Sequence, residues 1–313
     1  MKHVPVLLSE TLNYLNISRF QHGPGIFVDA TFGGGGHCRA ILEHAGPQVR
    51  VIAIDRDQAA VHRSAELRER YGDRFLMLQG NFADLSRLLD EARVRSVDGL
   101  LLDLGLSSYQ LGSGPRGFSF QLDGPLDMRM DRRQERTAAD IVATCPAEQL
   151  QEIFQRFGEE PYAKSIAKAL VAARAVKAIT TTRELAELIM SMTPPAKAHR
   201  RIHPATKVFQ ALRIAVNGEL QALVDVLSVA LERLNPAGRL VVIAYHSLED
   251  RIVKQMFRQW AARCLCPPDL PVCACGVIPR VRLLQQKAVV PQAEEKERNP
   301  RSRSARLRAV ERL

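Results

Sequence analysis

Four consecutive glycines, Gly33-Gly34-Gly35-Gly36, stand between Asp29-Ala30-Thr31-Phe32 and His37. With no Cβ in the way, backbone N–H groups of such a loop approach a ligand closely, and a helix beginning there favours a negative group. A dinucleotide fingerprint requires Gly-x-Gly-x-x-Gly, but its last position falls on Cys38 counted from Gly33 and on Arg39 counted from Gly34. No Gly-x-x-x-x-Gly-Lys-Ser/Thr phosphate loop is present either. A ligand bearing a carboxylate in place of a pyrophosphate fits this loop better, and the amino-acid end of S-adenosylmethionine supplies one. A glycine-rich turn with no ligand is the plainer alternative.

Asp55 lies 19 residues after Gly36. A carboxylate there is placed to accept both hydroxyls of a ribose. In Asp55-Arg56-Asp57 the second carboxylate suits a helix cap, which leaves Asp55 for the ligand. Asp103 precedes Leu104-Gly105-Leu106-Ser107-Ser108-Tyr109-Gln110, so a carboxylate and then small hydroxyl and amide groups line the place where substrate would meet cofactor. A strand-end cap explains Asp103 as well at this point.

These residues need a scaffold, and the flanking patterns supply one. Gly25 to Ala30, Val49 to Asp55, Phe75 to Gln79 and Val97 to Asp103 read as strands, the last hydrophobic on both faces as a central parallel strand must be. Helical spacing over Ala40–Ala45, Gln58–Tyr71 and Asp84–Arg93 separates them, giving a doubly wound α/β sheet. The alternation then stops. Gly112 to Arg133 is irregular, and helical periodicity over Pro146–Phe157, Pro161–Val176, Thr182–Met190 and Thr206–Val216 marks a helical insertion. The sheet pattern resumes with a helix Glu219–Leu234 ended by Asn235-Pro236-Ala237-Gly238, a strand Arg239–Tyr245 and a helix Leu248–Arg263. Two edge strands are expected around Ile278–Leu284 and Ser304–Val310. The expected division is 1–111 with 214–313 for the sheet domain and 112–213 for the insertion.

The 313 residues are 46% hydrophobic and 25% charged, which excludes a wholly disordered, collagen-like or coiled-coil chain. Neither an apolar leader nor 18 consecutive apolar residues occurs, so a cytoplasmic protein without a membrane partner is expected. The net charge of +10 is unevenly spread: −1 over residues 1–110, +5 over 111–213, 0 over 214–275 and +6 over 276–313. Two basic surfaces on a neutral platform suit a polyanion, although a solvated cationic face gives the same count. Arg129, Arg132, Arg133, Arg200, Arg201, Lys207 and the tail residues Arg298, Arg301, Arg303, Arg306 and Arg308 are candidate phosphate contacts. Phe118, Phe120 and Tyr109 are candidates to stack on a base held out of its helix, or else core.

Six motifs occur in order. They are Asp29–His37, Leu102–Ser108, Arg116-Gly117-Phe118-Ser119-Phe120, Gly124-Pro125-Leu126-Asp127-Met128-Arg129-Met130, His203–Ile214 and His246-Ser247-Leu248-Glu249-Asp250-Arg251. Together they resemble the bacterial small-subunit (16S) ribosomal RNA cytosine-N4 methyltransferase family, from His3-Val4-Pro5-Val6-Leu7 to Asn299-Pro300-Arg301-Ser302. The resemblance implies a class I (Rossmann-like) S-adenosylmethionine-dependent methyltransferase sheet with an inserted helical substrate domain. It also implies S-adenosyl-L-methionine as cofactor and, as target, the exocyclic N4 of a cytidine in the decoding region. The implied partner is small-subunit ribosomal RNA within an assembled or nearly assembled subunit; a homo-oligomer stays open. The family's cofactor contacts fall on Gly35, Gly36, His37, Asp55, Phe82, Asp103 and Gln110, with His37 acting through its backbone N–H and Phe82 covering the adenine face.

A cytosine amine shares its lone pair with the ring and is a poor nucleophile until an acceptor pulls on its N–H. Asp103, or a neighbouring backbone carbonyl, is expected to be that acceptor, the rival being that Asp103 only holds the cofactor. Methylation at C5 would need a thiol, and nothing just after Asp103 offers one, while spacing alone does not separate cytosine N4 from adenine N6. Cys264-x-Cys266 and Cys273-x-Cys275 are a candidate zinc group, with a shorter spacing than Cys-x-x-Cys, and the resemblance requires no metal. A non-catalytic nucleic-acid binder explains the basic segments equally well but leaves the glycine loop and its acidic partners without a purpose.

Overall fold

The computed structural model describes residues 5–192, 203–262, 264 and 276–313. They fall into two compact units, Met1–Gly105 with Gln221–Leu313, and Leu106–Leu220.

In the first unit, β1 (Gly25–Asp29), β2 (Val49–Asp55), β3 (Phe75–Gln79), β4 (Val97–Asp103), β5 (Leu234–Ala244), β6 (Val281–Leu283) and β7 (Arg306–Arg312) form one sheet in the order β3-β2-β1-β4-β5-β7-β6. Strands β1 to β5 are parallel, and β7 runs antiparallel to both β5 and β6. Their near-continuous apolar sequences follow from burial on both faces. Val28, Leu100, Leu102 and Val242 pack with Leu85, Leu88 and Leu89 of the helix Leu85–Glu91 and with Val253 and Phe257 of the helix Ser247–Trp260. Their alternates Phe27, Val51, Leu101, Val241 and Ile243 pack with Ile41 and Leu42 of the helix Gly36–His44 and with Leu67 of the helix Ala65–Tyr71. Since β1 has β2 on one side and β4 on the other, the carboxyl ends of β1 and β4 flank the crevice where strand order reverses.

Three local differences from expectation have physical causes. The stretch expected as one helix, Gln58–Tyr71, is two, Gln58–Arg63 and Ala65–Tyr71, and at the break the Ser64 hydroxyl donates to the Val61 carbonyl at 2.7 Å. Strand β5 starts at Leu234 because Asn235–Gly238 bulges within it; its pairing with β4 jumps from Val97–Leu234 to Gly99–Arg239, and Ala237 has φ +60°. An unanticipated helix, Ala138–Thr144, is capped by Thr137 and Asp140 in a reciprocal box, a signal legible in Thr-x-x-Asp.

The second unit packs Ala138–Thr144 with the helices Ala147–Gly158, Ala163–Val176, Thr182–Ser191 and Ala205–Asn217 around Phe154, Leu170, Leu185 and Leu212. The irregular stretch before them is held by side chains. Asn217 accepts from the Met130 amide and donates to the Met128 carbonyl, both at 2.8 Å, while Arg116 donates to the Arg129 and Met130 carbonyls. Among the described residues no single helix is long and apolar enough to cross a membrane.

Candidate active site

Three parallel strands of the first unit end in aspartates: Asp29 on β1, Asp55 on β2 and Asp103 on β4. Asp29 is buried; its Oδ1 accepts from the Thr31 amide at 3.1 Å and its Oδ2 from the Cys38 thiol at 3.2 Å. Burial pushes its carboxyl above the ordinary range. The Thr31 hydroxyl accepts from the Asp103 amide at 2.6 Å, which ties the ends of β1 and β4 together.

The glycine loop closes over the end of β2. Asp55 Oδ2 accepts from the Gly33 amide and Oδ1 from the Asp57 amide, each at 2.8 Å. The Asp55 carboxylate is therefore engaged with the loop, and each oxygen retains a further lone pair. Desolvation raises its pKa, against the pull of those two amides. Asp57 caps the next helix as expected, accepting from the Ala59 amide at 3.0 Å. Gly35 has φ +74°, and a Cβ on it would lie 2.6 Å from the Phe32 ring. A Cβ on Gly36 would lie 2.3 Å from Pro5, so the fold itself demands both glycines.

Asp103 has a side-chain neighbour at each carboxylate oxygen. Its Oδ1 accepts from the Tyr245 hydroxyl at 2.8 Å, and its Oδ2 lies 3.6 Å from His37 Nδ1. Burial raises its pKa to about 7, with the Tyr245 hydrogen bond pulling it down and the charge of Glu249 pushing it up. Burial and the adjacent Asp103 hold the Tyr245 phenol well above its usual value. Glu249, in the first turn of Ser247–Trp260, accepts from the Tyr245 and His246 amides at 2.9 and 3.3 Å.

Two of these groups were not anticipated. The His37 imidazole, expected to be idle, is buried between Asp103 and the Val6 carbonyl, 3.2 Å from Nε2. Burial lowers its pKa, with Asp29 opposing. Tyr245 was visible only as the end of a strand; the usable signal is that β5 runs beside β4 with Asp103 opposite Ile243, which puts Tyr245 at the same edge.

The remaining expected residues are placed as follows. Phe82 opens a 3-10 turn after β3, partly buried against the core, and that turn is tied to β2 by the Gly80 amide donating to the Asp55 carbonyl at 3.0 Å. Gln110 belongs to the second unit, where its Oε1 accepts from the Ser107 amide at 3.0 Å and caps the short helix Ser108–Leu111. Of the candidate stacking rings, Phe118 is core, under the Arg116 guanidinium; Phe120 stacks on His203 with ring centroids 4.5 Å apart; Tyr109 is 48% exposed. Several candidate phosphate contacts instead hold protein groups: Arg129 is forked onto Asp127, Arg133 onto Asp131, Arg308 onto Asp250, and Lys207 donates to the Glu159 carbonyl. Arg298, Arg301, Arg303 and Arg306 are exposed. Arg200 and Arg201 lie outside the described residues, as do Cys266, Cys273 and Cys275; Cys264 is exposed.

A parallel sheet with an antiparallel strand inserted near one edge, a glycine loop after β1, and acidic ends on β1, β2 and β4 define an S-adenosylmethionine-dependent methyltransferase of class I. The MraW methylase family matches residues 1–313, and the chain belongs to it. A ribosomal RNA small subunit methyltransferase H of Thermomicrobium roseum is 57% identical over 311 residues, covering 99% of this chain and 94% of its own length. A protein of the same name from Carboxydothermus hydrogenoformans is 49% identical, with 99% and 98% covered. Among solved structures, a putative rRNA-methylase from Clostridium thermocellum superposes with a TM-score of 0.46 at 12% identity, covering 99% of this chain and 100% of that one.

Proposed function

We propose that this chain transfers a methyl group from S-adenosyl-L-methionine to the exocyclic N4 of a cytidine in the decoding region of small-subunit (16S) ribosomal RNA. The observation that carries it is the Asp103 carboxylate, half-buried at the switch point with one oxygen held by Tyr245. The names of the relatives support the RNA, and the motif resemblance supports the base and the atom.

The cofactor supplies an electrophilic methyl on a sulfonium. The chain's donors suit it: backbone N–H groups of Gly36 and His37 for its carboxylate, in a loop that Gly35 shapes by donating its own N–H to the Phe32 carbonyl at 2.7 Å, Asp55 for the ribose hydroxyls, Phe82 for the adenine face, and Asp103 beside the reacting end; the resemblance adds Gln110. Asp103 accepts the amine N–H, so that the nitrogen lone pair leaves conjugation with the ring and points at the methyl; alignment at a fixed near-attack distance contributes several kcal/mol, on the order of 7. C5 chemistry has less support, because Cys38 donates to Asp29 and is held far above its usual pKa by burial, which keeps it a thiol.

The helical unit and the arginine-rich tail meet the RNA backbone, within an assembled or nearly assembled subunit, which places the enzyme in the cytoplasm. Incubation with S-adenosylmethionine labelled in its methyl group, with unmethylated small subunits, large subunits and transfer RNA offered separately, tests the substrate. Label is expected in small-subunit RNA alone; label only in another RNA contradicts the reading.

A further inference from the structure

Methyl transfer to an amine leaves one proton to place. As the N–C bond forms and the C–S bond breaks, an N–H bond must also break, and the sulfonium charge disappears with it. Asp103 Oδ1 already accepts from the Tyr245 hydroxyl, which makes Oδ2 the more basic oxygen and the one that takes that proton. The neighbour of Oδ2 is His37 Nδ1, 3.6 Å away. The other ring nitrogen, Nε2, sits 3.2 Å from the Val6 carbonyl, which only accepts, so Nε2 carries the hydrogen of the neutral ring. Neutral His37 therefore turns a bare lone pair toward a carboxylate oxygen. Two acceptors face each other across a gap that one proton would satisfy.

We infer that His37 is a positioning residue for the proposed N4 transfer: the proton lost by the target amine comes to rest between Asp103 Oδ2 and His37 Nδ1, a receptor that is empty before transfer and filled after it. The charges balance, since a sulfonium and a carboxylate become a thioether and a neutral carboxylic acid bonded to imidazole. The ionisable groups around the pair are Asp29 and Cys38 on the His37 side and Tyr245 and Glu249 on the Asp103 side. With Asp103 raised to about 7, roughly half of the receptors are empty at neutral pH and the empty fraction grows as pH rises, so transfer runs through the carboxylate form. The inference rests on the N4 reading for its substrate, not for its geometry.

His37→Gln retains the backbone N–H and a side-chain donor able to reach Val6 but offers no titratable acceptor to Asp103. With unmethylated small subunits we expect kcat to fall about 100-fold, KM and S-adenosylhomocysteine affinity to stay within about threefold, and the acid limb of the kcat–pH profile to move. His37→Asn, whose amide oxygen lies nearer the Nδ1 position, should recover part of the loss. Independently of activity, ¹⁵N-histidine NMR should show His37 in the Nε2–H form with Nδ1 reporting a titration near pH 7 that disappears in Asp103→Asn. Wild-type kcat and pH profile in His37→Gln, or a His37 titration indifferent to Asp103→Asn, overturns the inference. If the wild-type protein methylates no cytidine, the functional reading falls, while the NMR titration still decides the pair; it decides it equally if His37→Gln fails to fold.

Discussion

Asp103 carries a charge where burial resists one, and that has a consequence for stability. Its folded carboxyl titrates at about 7 against an ordinary 3.8, so between these values the folded chain binds a proton that the unfolded chain has released. The stability associated with that proton is complete below about pH 4 and is lost as pH rises through about 7. Asp103→Asn keeps an acceptor for Tyr245 without the charge. Thermal unfolding should place its Tm a few degrees above wild type at pH 8 and level with it at pH 4, a gap measurable by calorimetry. The same variant should lose methyl transfer by about 100-fold or more while still binding cofactor. A Tm gap that does not depend on pH would show that Asp103 is not raised. The place of Asp103 was legible because a strand pattern ends on it. Its partners were not, since Tyr245 is 142 residues away and reaches it only through the β4–β5 pairing.

At the scale of elements, Asp55 and Asp57 lie two residues apart and do different work. Asp57→Ala removes the N-cap of Gln58–Arg63 and should cost about 1–2 kcal/mol in denaturant unfolding, with S-adenosylhomocysteine affinity unchanged within a few-fold. Asp55→Ala releases the Gly33 amide and should weaken that affinity at least about tenfold; equal effects of the two substitutions on binding would contradict the division of labour. The Asp57 cap was readable from spacing alone, because a cap must sit immediately before its helix. Apolar runs and glycine punctuation likewise located β1 to β4. The helix break at Ser64 was hidden, because a serine hydroxyl that takes a backbone carbonyl looks the same in sequence as one exposed on a continuous helix.

Across the whole molecule, the two units rest on different interactions, a sheet covered on both faces and a helical core whose irregular loop hangs on Asn217. Asn217→Ala leaves the Met130 amide and Met128 carbonyl without their partner and should destabilise the second unit by about 2–3 kcal/mol, read from urea unfolding. The charge excess in the tail survives inspection of its pairs, with Arg298, Arg301 and Arg303 exposed. Replacing all three with alanine should lower the slope of log affinity against log salt for small-subunit RNA by up to about 2–3, at about 0.7–0.9 per phosphate contact. An unchanged slope would remove the tail from the interface. Net charge overstated the middle block, because Arg129 and Arg133 each fold back onto an aspartate two residues earlier.

The central claim is the atom that receives the methyl group. Small subunits lacking the modification, incubated with this protein and S-adenosylmethionine and digested to nucleosides, should yield N4-methylcytidine by mass spectrometry, and Asp103→Asn should abolish it. Appearance of 5-methylcytidine or of a methylated adenosine in its place, or cofactor binding with no methylated nucleoside at all, would contradict the account.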